Sequence, residues 1–219
     1  MDERIDADEL RARFFEQLSP EARAAIGTLV DAAGVAVYVA AGVVRDLLLD
    51  RQPRDIDLVV EADAIEIVRR ALPDVRLTLH ERFRTASFDA AGTNIDVATA
   101  RRERYQRPGA LPDVEPASIA EDLTRRDFSI NAMALALTGE ARLIDPTRGI
   151  EDTRNGIMRL LHEESIHDDA TRVFRAARYA ARLGFAFDPR TETQLREGAR
   201  FVATIGGERL RREIELIFD

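Results

Sequence analysis

Apolar residues recur every three or four positions from Leu10 to Ala33, interrupted at Ser19-Pro20, where a serine able to cap a helix precedes proline at the first helical position. Two short helices are expected there. A β-branched and aromatic run, Val35 to Ala40, ends at Ala41-Gly42 and gives way to a helical stretch, Val43 to Asp50, and a turn at Arg51-Gln52-Pro53. That order is strand, tight turn, helix. Asp55 to Glu61 reads as a strand and Ala62 to Leu72 as a helix. Val75 to His80, Thr85 to Asp89 and Asn94 to Ala98 read as three more strands, separated by charged or glycine-containing turns. Residues 101 to 124 hold three prolines and little periodicity, which predicts a long loop. Ser129 to Leu137 has the pattern of a buried helix, and Leu143-Ile144 that of a short final strand.

After Gly149 the pattern becomes helical: Asp168 to Leu183, Arg190 to Ala203 and Glu208 to Phe218 all show apolar residues at three- and four-residue spacing. The chain is therefore expected to be α+β over residues 1–150, with a mixed sheet flanked by helices, and all-α over residues 151–219. The amphipathic pattern is still running at Asp219, so the natural protein is expected to be longer than this chain.

Composition narrows the chemistry. With 219 residues, 45% of them hydrophobic, the chain can bury one substantial core or two small ones. No apolar run reaches the roughly 20 residues that span a bilayer, and the charged start from Met1 to Arg13 lacks the apolar stretch of a signal peptide. A cytoplasmic protein without membrane contact is expected. Cysteine is absent and the three histidines are scattered, so any metal would be held by carboxylates. A formal net charge of -8 disfavours non-specific coating of nucleic acid, which draws its affinity from released phosphate counterions. Local basic clusters nevertheless stand out: Arg101, Arg102, Arg104 and Arg107; Arg125 and Arg126; and Arg172, Arg175, Arg178 and Arg182.

Asp55-Ile56-Asp57 in a strand puts two carboxylates on one face about 7 Å apart, because side chains alternate and the strand rises about 3.3 Å per residue. Such a pair suits Mg²⁺, which takes one or two protein carboxylates and completes its shell with water and phosphate oxygens. Asp96 on a neighbouring predicted strand could add a third. Alone, an Asp-x-Asp is as consistent with a polar strand face. Nine residues before Asp57's partner Asp55, however, Ala41-Gly42-Val43-Val44-Arg45-Asp46 places glycine between strand and helix, where backbone N–H groups can approach a phosphate. Together these features describe a triphosphate site with its metals.

Gly42-Val43-Val44-Arg45-Asp46 resembles most of a Gly-Gly-x-x-Arg-Asp element, with Ala41 in place of the first glycine, and Asp55-Ile56-Asp57 resembles the associated metal-binding Asp-x-Asp. Arg125-Arg126-Asp127-Phe128-Ser129-Ile130-Asn131-Ala132 is similar to an Arg-Arg-Asp-Phe-Thr-x-Asn-Ala signature, and Asp168-Asp169-Ala170-Thr171-Arg172 to Glu-Asp-x-x-Arg. Asp145-Pro146 through Asp152 resembles a hinge element, and Glu208-Arg209 through Glu213 a closing Glu-Arg-x-x-x-Glu. These are the motifs of class II tRNA nucleotidyltransferases and poly(A) polymerases, in the polymerase beta superfamily.

The resemblance implies a catalytic head over residues 1–150 and a helical neck over 151–219, followed in relatives by body and tail domains that grip tRNA. It implies two Mg²⁺ ions held by Asp55 and Asp57, with Asp96 as a third catalytic carboxylate. It implies CTP and ATP as substrates, bound by Gly42, Arg45, Arg126, Asp127 and Asn131. Asp127 would contact the ribose 2′-hydroxyl, Asp169 and Arg172 would read the base, and Arg175 and Arg178 would support nucleotide or RNA. Arg101, Arg102 and Arg104 would meet the RNA primer, a tRNA or other RNA 3′ end. The expected reaction is addition of CMP, AMP or both to that end. The rivals are a poly(A) polymerase, a partial CC- or A-adding enzyme, and a non-catalytic RNA-binding module of the same fold. The chain alone is expected to bind tRNA weakly.

Overall fold

The computed structural model describes residues 5–107 and 110–218. Met1 to Arg4 of the charged start, Pro108-Gly109 of the expected loop and the terminal Asp219 lie outside the described residues. The first two helices are α1 (Ala7–Gln17) and α2 (Pro20–Ala33), as the spacing predicts. Asp6 caps α1 by accepting from the backbone N–H groups of Asp8 and Glu9, and Ser19 caps α2 through that of Ala22, with proline at the first position. Gly34 ends α2 at φ 68°, a left-handed conformation that glycine adopts without strain.

Then come β1 (Val37–Ala40), α3 (Gly42–Leu48), β2 (Ile56–Val60), α4 (Ala64–Ala71), β3 (Thr78–His80), β4 (Thr85–Ala90) and β5 (Thr93–Thr99). They are followed by β6 (Arg101–Arg104), β7 (Asp113–Pro116), α5 (Ile119–Thr124), β8 (Ala134–Ala136), β9 (Leu143–Ile144) and α6 (Gly149–Asn155). The last part holds β10 (Ile157–Met158), α7 (Ser165–Asp168), α8 (Arg172–Leu183), β11 (Ala186–Phe187), α9 (Pro189–Gly198) and α10 (Gly207–Phe218).

Seven strands form one mixed sheet in the order β3-β4-β5-β2-β1-β8-β9. Its pairs are antiparallel except β2 with β5, which run parallel in the register Asp57 to Asp96. The pleat sorts β1 between two cores. Val37 and Val39 join Leu10, Phe14, Ile26 and Leu29 on the face covered by helices α1 and α2, while Tyr38 and Ala40 join Ile119 and Leu123 on the other. A third core gathers Met158, Ile166, Ala176 and Leu183 around Phe128 and Ile130. No helix among the described residues is long and apolar enough to cross a membrane.

Four expectations are corrected. Ser129 to Leu137 is not a helix: a single 3₁₀ turn, Ser129–Asn131, leads into β8, which pairs with β1 from Tyr38 to Ala40. A short run buried on every side carries no period, so tertiary pairing decides its form. Residues 101 to 124 are not a structureless loop: β6 and β7 pair as an isolated ribbon, and α5 begins with a reciprocal cap between Ser118 and Glu121. Prolines are tolerated in that ribbon because Pro116 sits at its end. The helix expected from Asp168 to Leu183 is broken at residues 169–171, where Asp169 turns extended (φ -142°, ψ 97°) and α8 restarts at Arg172. The largely helical stretch after residue 150 also carries the two-residue parallel pair β10–β11.

Candidate active site

Strand β2 is buried at Ile56, Leu58, Val59 and Val60, and Asp57 is its one half-exposed position. A lone acid in a buried strand needs a reason, and here it opens onto a cavity of about 590 Å³. Parallel register sets Asp57 beside Asp96, and the two-residue period sets Asp55, just before the strand, on the same side; all three line the cavity. Burial, together with the neighbouring charges of Asp96 and Asp55, pushes the Asp57 carboxyl above its ordinary value, although Arg126 and Arg175 pull against that. Crowded acids of this kind create a demand for a cation.

Gly42 begins α3 on the same cavity wall. Before it, Ala41 is held at φ 59° and ψ -128°, the backbone of a turn position that glycine normally fills. Arg45, one turn on, is not the surface ion pair a bare Arg-Asp would suggest: it is only 2% exposed. Its Nε donates to Asp46 at 2.8 Å and its Nη1 to Asn131 Oδ1 at 2.6 Å. Asn131 in turn donates to Asp127 Oδ1 at 3.1 Å, and Arg175 Nε donates to Asp127 Oδ2 at 2.7 Å. One buried chain of polar groups thus ties α3 to α8 through the 3₁₀ turn. Burial opposes ionisation of Asp127, but Arg175, Arg172 and Asn131 overcome it and bring the carboxyl down to about 2; Asp127 likewise raises the proton affinity of Arg175.

A second chain holds the other arginines. Arg125 and Arg126 both donate to Asp122, whose carboxyl falls to about 2 because their charges outweigh its burial. Arg125 also reaches Glu103, and Glu103 accepts from Arg101 and from the hydroxyl of Tyr105. Arg172 is 5% exposed, donating to Ser165 Oγ at 2.5 Å and to the carbonyl of Arg125 at 2.9 Å. Asp169, expected to read the base together with Arg172, accepts from Arg209 of α10 at 2.8 Å and from the hydroxyl of Thr171 at 2.7 Å, at the break between α7 and α8. The arginine stripe of α8 also faces inward. Arg172, Arg175, Arg178 and Arg182 line the cavity, while Ala177 on the same helix is exposed.

Gly42, Arg45, Asp55, Asp57, Asp96, Arg126, Asp127, Asn131, Asp169, Arg172, Arg175 and Arg178 therefore come together on one cavity. The cluster Arg101, Arg102 and Arg104 is split by the alternation of β6: Arg101 faces the cavity, whereas Arg102 and Arg104 are exposed outside it, Arg102 pairing with Glu115 at 3.2 Å. Sequence reading missed Asp122, Tyr105 and Tyr179. Asp122 was legible as the acid three and four residues before Arg125 and Arg126, but only once that stretch is read as helix. Tyr179 had no signal apart from its place on the arginine stripe.

A model of the poly(A) polymerase head domain matches residues 37–159. The chain belongs to the poly(A) polymerase head-domain family. It is 43% identical over 164 residues to the A-adding tRNA nucleotidyltransferase of Aquifex aeolicus, covering 73% of this chain and 20% of that protein. It is 40% identical over 177 residues to the CC-adding tRNA nucleotidyltransferase of Deinococcus radiodurans, covering 76% of this chain and 46% of that one. Among solved structures, a CCA-adding enzyme in an apo form superposes with a TM-score of 0.83 at 40% identity over 98% of this chain and 52% of that one. The chain thus spans between about a fifth and a half of the length of these relatives. The poly(A) polymerase head match ends at residue 159, so α8 and α10, which contribute the arginine wall, lie beyond it.

Whether these residues fit the metal that the family implies can be tested on the donors. Among the described residues no group of three or more carboxylates or imidazoles is positioned to hold an ion alone. Mg²⁺ asks for less: one or two carboxylates, with the remaining shell from water and phosphate. Asp57, crowded by like charge, together with Asp55 or Asp96 meets that requirement, provided a phosphate arrives with the ion.

Proposed function

We propose that this chain is the catalytic part of an RNA nucleotidyltransferase that adds CMP, AMP or both to the 3′ end of a tRNA, without a template. The observation that carries the reading is the division of one cavity into an acidic wall, Asp55, Asp57 and Asp96, and an arginine wall from α8. A nucleoside triphosphate with its metals is the ligand whose charges match both sides. We assign residues 1–150 to the head and 151–219 to the neck that completes the cavity.

Mg²⁺ bound with the substrate would lower the pKa of the RNA 3′-hydroxyl and neutralise the departing pyrophosphate, a two-ion arrangement that suits in-line attack on the α-phosphate. Asp55 and Asp57 would hold the ions, with Asp96 supporting them from the adjacent strand. Asp127, fixed by Asn131 and Arg175, keeps its carboxylate ionised at working pH, ready to accept from a ribose hydroxyl. The Asp169–Arg209 pair and Arg172 offer acceptors and donors to the edge of a base. Arg126 and the inward Arg101 face the nucleotide side, and Arg102 and Arg104 are left for the primer.

The test is incorporation of labelled CTP or ATP, supplied separately, into a tRNA lacking its 3′ end, with product lengths read on a gel. Addition of one A, of two C residues, of both, or of a long A tract assigns the specificity among A-adding, CC-adding, CCA-adding and poly(A) reactions. Loss of incorporation in Asp55→Ala or Asp57→Ala with an unchanged circular-dichroism spectrum is expected. Undiminished incorporation in either variant removes the mechanism, and Mg²⁺-independent nucleotide binding without incorporation favours the non-catalytic module.

A further inference from the structure

Tyr179 lies at the centre of the arginine wall. The guanidinium carbons of Arg178, Arg182, Arg45 and Arg175 stand 5.0, 5.4, 5.6 and 5.6 Å from the centroid of its ring. The ring is fixed edge-on against the buried Phe128 at 6.1 Å and 89°. Four like charges converging on one side chain require a reason, because they repel one another. Carboxylates offset part of that repulsion: Asp46 pairs with Arg45, Asp127 with Arg175, and Glu213 reaches Arg178 at 3.7 Å.

Donor capacity remains on this wall, including the Nη1 of Arg175. Arg182 has no carboxylate within ion-pair distance among the described residues, and the Nε of Arg178 is buried without a hydrogen-bond partner. The Tyr179 hydroxyl accepts from Arg175 Nη2 at 3.4 Å, but its aromatic face attracts the other cations without neutralising them or occupying their N–H groups, whereas a carboxylate would do both and would compete with an anionic ligand. The planar guanidinium fork matches phosphate oxygens two at a time. The charge state agrees with the geometry, since burial and the neighbouring Arg45 lower the proton affinity of Arg182, which an arriving anion would restore.

We propose that Tyr179 is a positioning residue whose ring gathers Arg178 and Arg182, with Arg45 and Arg175 behind them, into a cradle for the polyphosphate of the incoming nucleotide. The inference deepens the nucleotidyltransferase reading and rests on it for the identity of the ligand. It separates the three arginines that reach internal carboxylates from Arg182, which reaches none among the described residues, and it makes an uncharged side chain responsible for their bundling.

Inorganic tripolyphosphate in EDTA is the probe, with affinity measured by titration calorimetry on the whole chain at low ionic strength. Tyr179→Leu is expected to weaken binding on the order of tenfold, and Tyr179→Phe to recover it to within about twofold of the parent, since the ring and its quadrupole remain. Arg182→Gln, at an exposed position, is expected to weaken it by on the order of tenfold. In turnover, Tyr179→Leu should raise the KM for nucleotide with a much smaller change in kcat. A folded Tyr179→Leu that binds tripolyphosphate as tightly as the parent overturns the proposal; should that variant unfold, unchanged affinity in Arg182→Gln overturns it instead. Incorporation by the parent alongside a ring-independent affinity removes only the role of Tyr179. Ring-dependent tripolyphosphate binding without any incorporation removes only the enzymatic reading.

Discussion

Ala41 stores strain, and replacing it with glycine measures how much. At φ 59° and ψ -128° it occupies a region that L residues rarely enter, at a cost of order 1–3 kcal/mol. Both of its backbone bonds, N–H to the carbonyl of Met133 at 3.0 Å and carbonyl from the N–H of Arg45 at 3.3 Å, persist in a glycine. Ala41→Gly relieves the strain but gives the unfolded chain about 0.5–1 kcal/mol of extra entropy and removes a methyl worth at most about 0.8 kcal/mol. Its neighbour is the control. Ala40 is fully buried in β1, with no positive φ, so Ala40→Gly carries the same two losses and no relief, about 1.5 kcal/mol in all. The two variants should therefore differ by about 2 kcal/mol, with Ala41→Gly close to the parent or above it. In urea, with a slope of about 2–3 kcal/mol per molar, that is a separation of roughly 0.7–1 M between their midpoints. Equal losses in the two variants, at an unchanged slope, would refute the strain argument.

Asp57→Asn should raise the melting temperature in metal-free buffer at neutral pH while abolishing Mg²⁺-dependent incorporation, because it removes a buried charge crowded by Asp96 and Asp55; a lower melting temperature contradicts the crowding. Gly149→Ala should destabilise by about 1–3 kcal/mol in the same urea assay, since a Cβ there would lie 2.2 Å from the carbonyl oxygen of Ser129; a neutral result would mean that α6 can shift. Acid unfolding has a definite sign. Asp122 and Asp127 are brought down to about 2 in the folded chain, so the stability they contribute is present above the ordinary carboxylate value near 3.8 and is lost as pH falls through 2. Asp122→Asn should flatten the fall in melting temperature between about pH 4 and 2, and an unchanged slope there excludes that carboxylate as a source.

The pattern of apolar positions carried most of the head. Strands β1, β2, β4 and β5 and helices α1 to α4 were legible because each alternates or repeats against a single core and is bounded by caps or turns. β8 was not, since Ala134 to Ala136 is buried on all sides and a fully buried run has the same composition as strand or helix. The ribbon β6–β7 escaped because its residues are polar on both faces and pair only with each other. Among the site residues, most acids and arginines picked out by the short motifs line one cavity, because the motifs fix their neighbours in sequence, whereas Arg102 and Arg104 lie outside it. Their partners were not legible, because pairs such as Asp169 with Arg209 and Arg45 with Asn131 join residues 40 and 86 positions apart.

That separation changes what the motifs mean physically. Arg45, Asp127, Asn131 and Arg172 are all within 5% of complete burial and all hydrogen-bonded inside the protein. A buried charge is tolerated only with its partners in place, so truncating any one of them strands another, at a cost of about 3–5 kcal/mol. Loss of activity at these positions therefore reports folding as much as chemistry. Among the described residues, groups on the cavity walls that keep open capacity include Asp55, Asp57 and Asp96 on one side and Arg182 on the other. An alanine scan scored by activity alone would rank the buried arginines and Asp127 above Arg182. Scoring the same variants by nucleotide affinity at matched stability should raise Arg182 above Arg45, whose three nitrogens are all engaged inside the protein, while Asp127 and Arg172 keep their rank through the ribose and base; unchanged affinity on truncation of Arg182 would mean that its open donors do not reach the nucleotide.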